Sequence, residues 1–83
     1  MNMKLYFRDA KRRDKLIAEP QTVEECKNKI EEYIKVHNLF HRDYRRVVEG
    51  PKGLTIDYGS HFDFFYIEGV SFGEYIASNQ EIT

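Results

Sequence analysis

The sequence predicts a single α+β domain in which one long helix lies across an antiparallel sheet. Three observations carry that expectation. A clear capping signal opens one 3.6-periodic stretch near the middle of the chain. Short segments of β-branched and aromatic residues, separated by turn signals, lie on either side of it. A type I turn signature at Gly50-Pro51-Lys52-Gly53 and a Gly59-led loop join the later strands as hairpins.

Residues 3–8 alternate, with Lys4 and Tyr6 on one side and Leu5 and Phe7 on the other, as a half-buried strand does. The charged run 9–14 is a turn, and 15–18 return as a second strand. Pro20 and Gln21 lead into Thr22, which with Glu25 three residues on has capping-box spacing; Glu24 and Glu25 also suit the positive end of a helix dipole. Helix is expected over 23–37, with Val23, Cys26, Ile30, Tyr33, Ile34 and His37 on one stripe and Asn38 as its left-handed stop. Residues 44–49 form a third strand around Val47 and Val48. Gly50-Pro51-Lys52-Gly53 is a type I turn signature, leading to strands at 54–58 and 62–67. Ser71 and Glu74 repeat the capping-box spacing before a short helix over 72–77. The element order is therefore ββαβββ(α), with one domain over 1–78 and a frayed tail over 79–83. The expected core sets Val23, Cys26, Ile30, Tyr33 and Ile34 against Leu5, Phe7, Val48, Leu54, Ile56, Phe62 and Phe64.

Function is less legible, because no motif of defined chemistry is present. Hydrophobic residues make up 41% and charged residues 33%, the balance of a folded globule rather than a disordered chain. No apolar run approaches a membrane span, and no signal-peptide pattern is present, so no membrane partner is expected. One cysteine excludes an intramolecular disulfide framework and makes the cytoplasm the expected location. Cys26 falls on the apolar stripe, as a packed thiol rather than a nucleophile. No Gly-flanked serine elbow or Gly-rich phosphate loop occurs, and His37 and His41 are separated by the expected helix stop. Neither an enzyme nor a cofactor or metal site is expected.

The informative segment is the last hairpin. Seven of the twelve aromatic residues lie between Leu54 and Tyr75. A two-residue loop, Gly59-Ser60, would place Ile56 opposite Asp63, with Thr55, Asp57, Phe62, Phe64 and Tyr66 sharing one face. A three-residue loop, Gly59-Ser60-His61, would place Ile56 opposite Phe64 and Leu54 opposite Tyr66, giving one wholly apolar face. Patterning favours the second, which leaves Phe65 and Ile67 on the outer face beside an opposed Asp57–Asp63 pair. The expected function is a noncatalytic interaction module. Phe65 and Ile67 anchor another protein or a second copy of the chain, Asp57 and Asp63 orient it, and Tyr66 replaces Phe65 under the shorter loop.

Charge supplies the alternative. Residues 1–48 hold twelve Lys/Arg against eight Asp/Glu, and residues 49–83 hold one against six. Arg8, Arg12 and Arg13 of the first hairpin would bind nucleic acid together with Arg45 and Arg46, if the two stretches lie side by side. Small size, few alanines, abundant Tyr and Phe and no catalytic signature give the chain a resemblance to short accessory proteins encoded by phages and prophages of Gram-positive bacteria. That resemblance implies a protein acting on a host or phage protein in the host cytoplasm, and it assigns no site residues.

Overall fold

The computed structural model of the protein describes residues 2–42, 45–60 and 62–80. Strands β1 (Lys4–Arg8) and β2 (Asp14–Ala18) form a hairpin, followed by helix α1 (Val23–Val36). Strands β3 (Arg46–Glu49), β4 (Gly53–Asp57) and β5 (Phe64–Glu68) make a meander, and helix α2 (Phe72–Gln80) ends the described chain. All pairings are antiparallel, in the order β2-β1-β5-β4-β3. The expected α+β architecture is the one observed.

Local chemistry explains the element ends. Thr22 Oγ1 accepts the Glu25 amide at 3.0 Å, which starts α1. Asn38 takes a left-handed φ of 51°, and the Leu39 amide reaches back to the Ile34 carbonyl at 3.0 Å, which closes it. A complete capping box starts α2: the Ser71 amide donates to Glu74 at 3.2 Å, and the Glu74 amide donates to Ser71 Oγ at 3.1 Å. This helix runs three residues beyond the expected 77.

Both helices cover the same sheet face. Cys26, Ile30 and Ile34 of α1 and Tyr75 of α2 are buried against Leu5, Leu54, Ile56, Tyr58, Phe65 and Ile67, with Met3 at the margin. A bulge in β2, opposite Leu5 and Tyr6, lets both Ile17 and Ala18 pack toward this core. Among the described residues, no helix lies over the other face of the sheet.

The β4–β5 register differs from both expected alternatives. Leu54 pairs with Ile67, Thr55 with Tyr66 and Ile56 with Phe65, one residue beyond the favoured register. Phe65 and Ile67 are therefore fully buried, and Phe64 turns outward. Phe62 is 72% exposed and Val48 is 45% exposed, so neither belongs to the core as expected.

The cause lies in the connection, which takes six residues rather than two or three. Asp57 Oδ1 accepts the Gly59 amide at 2.9 Å, making an Asx turn. Ser60 Oγ accepts the amides of Phe62 and Asp63. Tyr58 continues the inward alternation of Leu54 and Ile56, and its hydroxyl donates to the Asp63 carboxylate. Gly59 holds φ at +97° with Arg42 pressed so close that an added Cβ would lie 2.7 Å from the Arg42 side chain. Burial first, then the bond to Asp63, pushes the Tyr58 phenol upward from its ordinary range.

Candidate functional site: the uncovered sheet face

Strand alternation and register define the uncovered face. Leu16, Tyr6, Tyr66, Thr55 and Val48 are consecutive cross-strand neighbours, so one largely apolar row crosses all five strands. Its two ends are the least covered, Leu16 at 46% and Val48 at 45% exposed. The Tyr6 and Tyr66 rings lie 6.2 Å apart at its centre. Alternation requires these outward positions to be the ones between Leu5, Ile56, Phe65 and Ile67, which are buried.

A second row runs beside it: Asp14, Arg8, Phe64, then Asp57 one step further along the β4–β5 register, and Arg46. Arg8 binds Asp14 in a fork, at 2.7 and 2.9 Å, and its guanidinium lies 4.5 Å from the centroid of the Tyr66 ring. The hydrogen bond to Arg8 holds the Asp14 carboxyl below the usual carboxylate range. Asp57 is engaged by its own turn. Arg46 lies opposite it in the ladder yet has no ion-pair partner among the described residues. On the other side of the apolar row, Lys4 lies opposite Glu68, which accepts from the Tyr6 hydroxyl at 3.4 Å. A pocket of about 400 Å³ lined by Arg8, Asp9, Arg12, Thr55, Phe62 and Phe64 marks where this face meets the β1–β2 turn.

These positions correct the expected site in three ways. Phe65 and Ile67 are core residues and cannot anchor a partner, whereas Tyr66 is on the face. Asp57 and Asp63 are not an opposed pair: Asp63 takes the Tyr58 hydroxyl, while Asp57 caps the Gly59 turn. The basic stretches do not lie side by side, because the β1–β2 hairpin and β3 occupy opposite sheet edges. Arg13 is held by Asp9 at 2.9 Å, and Arg45 turns to the helix layer, forking onto Glu31 at 2.7 and 2.8 Å. Arg12 sits in the β1–β2 turn with φ 63°, beside the pocket. Tyr44, expected to begin the third strand, lies outside the described residues.

Sequence reasoning missed Tyr6, Leu16, Phe64 and Val48 as members of one surface. The signal available was their strict alternation with Leu5, Ile17, Phe65 and Val47, but joining them needs the pairing of β1 with β5, 62 residues apart at Tyr6 and Glu68.

Cys26 is fully buried, and desolvation pushes its thiol up to about 12, which leaves it protonated and unreactive at neutral pH. Among the described residues, no cluster of three or more His, Cys, Asp or Glu side chains could hold a metal ion, and no helix is long and apolar enough to cross a membrane. No family model, no curated protein and no solved structure matches the chain.

Proposed function

We propose that this chain is a small noncatalytic interaction module whose docking surface is the uncovered face of its sheet, engaging another protein or its own copy. The observation that supports this is the five-strand row from Leu16 to Val48, which keeps apolar and aromatic side chains in water on one broad side of the molecule. Continuous surfaces of this kind in small soluble domains usually mark contacts. Tyr6, Phe64 and Tyr66 take the anchoring role first given to Phe65 and Ile67, since tyrosine and phenylalanine bury large area with few rotors to freeze. Arg8, Asp14, Asp57 and Arg46 flank them with alternating charge and fix the orientation of whatever docks. The resemblance to phage accessory proteins gives the reading a setting, with a host or phage protein as the other party.

Photocrosslinking inside the producing cell tests the reading directly. A photoreactive residue replaces Tyr66 in one version and Glu24, exposed at the start of α1, in another. Discrete protein adducts are expected from position 66 and none from position 24. Adducts from neither position, or the same adducts from both, would overturn the assignment of this face.

A further inference from the structure

Taking the uncovered face as the contact surface, we infer that its occupant is a second copy of this chain, stacked face to face about a two-fold axis running close to the direction of β5.

The charge pattern carries the argument. A two-fold along β5 reverses strand order and keeps each row in place, so β2 of one copy lies over β3 of the other and β1 lies over β4. Asp14 then meets Arg46 of the second copy, and Arg8 meets its Asp57. Leu16 covers Val48, Tyr6 covers Thr55, and Phe64 and Tyr66 each meet themselves at the axis. Every opposite-charge contact occurs twice, and the Arg46 that has no ion-pair partner among the described residues acquires one. Glu68 also meets itself, with the Lys4 of each copy beside it in the ladder.

The other face-to-face two-fold, running across the strands, exchanges the flanking rows instead. It sets Arg8 against Lys4 and Phe64 against Glu68, placing like charges together twice. One orientation is therefore complementary and the other repulsive, which is how self-recognition is specified. Strands in the favoured arrangement are nearly aligned, the usual way for two sheets to share a core. The broad side of a molecule measuring 30 × 27 × 20 Å suits a contact of the roughly 800 Å² per partner that a standard interface buries.

Sedimentation of the purified full chain, from low micromolar to submillimolar concentration, reads the self-association. A charge exchange then reads its geometry. Arg46→Asp alone and Asp14→Arg alone each place like charges at both symmetry-related contacts, and each is expected to weaken dimerisation by about 100-fold or more. Mixed in equal amounts they restore both contacts and form a heterodimer. Asp14 also holds Arg8 within the chain, so a second measurement avoids it. Tyr66→Cys lies at the axis and is bridged to itself by a short bismaleimide, whereas Leu16→Cys is bridged only to Val48→Cys. The buried Cys26 stays silent.

A wild type that remains monomeric at submillimolar concentration overturns the inference, as does a mixture that stays monomeric when both variants are folded. Bridging at Leu16→Cys alone instead of Tyr66→Cys does so as well. A monomer that binds a single-stranded oligonucleotide overturns it in favour of nucleic acid. Adducts to a foreign protein from position 66 in the cell, with a monomer in solution, would leave the contact face standing and remove only its second copy.

Discussion

Phe64 and Phe65 are adjacent and chemically identical, yet Phe65 is at the centre of the core while Phe64 stands on the open face. Phe65 packs edge-on against Tyr33 and Phe7, with ring centroids 5.7 and 5.4 Å away. Phe65→Ala should therefore cost about 3–5 kcal/mol, and Phe64→Ala about 1 kcal/mol or less at low protein concentration. Urea titration of the two variants checks this, and equal costs would reverse the register. Cys26 gives a second residue-scale prediction. Its thiol titrates at an ordinary 9.0 when exposed and at about 12 when folded, so above pH 9 the unfolded chain loses a proton that the folded chain keeps. Stability is full below that point and falls as pH rises toward 12. Tyr58 and Tyr75, both raised by burial from 10.0, add to the loss at the alkaline end. The melting temperature should decline from pH 9 upward, and Cys26→Ala should flatten the first part of the decline.

At the scale of elements, α1 joins the fold through one stripe and is started by one hydroxyl. Cys26, Ile30 and Ile34 repeat at four-residue spacing and are its buried positions, while Val36 at its end is 71% exposed. Ile30→Ala should cost about 2–5 kcal/mol, a large share of what so small a domain possesses. Thr22→Ala, which frees the Glu25 amide, should cost about 1 kcal/mol. Both are read by thermal or urea unfolding, and an unchanged Ile30→Ala would remove α1 from the core. The β4–β5 connection is the element whose behaviour follows least from propensity. Its length is set by four side-chain bonds from Asp57, Tyr58 and Ser60, which together shift the following strand by one residue. A shift of one exchanges the faces of every β5 side chain.

For the whole molecule, the decisive fact is that both helices lie on one side of a five-stranded sheet. The two basic stretches lie at opposite edges of that sheet. Arg8, Arg13 and Arg45 hold carboxylates, and Arg46 is three strand spacings from Arg8, roughly 14 Å. That layout predicts no binding to single- or double-stranded probes at tens of micromolar in low salt, because the first hairpin and Arg46 lie at opposite sheet edges and Arg8, Arg13 and Arg45 already hold carboxylates. Fluorescence anisotropy checks it, and a steep salt-dependent affinity would restore the alternative reading.

The sequence by itself determined the class, the element order, both helix starts and the α1 stripe as far as Ile34, with His37 exposed at the helix cap, because caps and helical periodicity act over three or four residues. Thr22, Asn38, Ser71 and Glu74 each do locally what their residue types do elsewhere. Only the tertiary structure decided which face of β5 is inside, since β5 is apolar on both sides and either choice satisfies local patterning. The pairing of β5 between β1 and β4, the six-residue turn and the docking of Tyr58 under the helices settled it together. The same assembly created the site: Leu16, Tyr6, Tyr66, Thr55 and Val48 are scattered over 61 residues of chain, and they become one surface when five strands come into register.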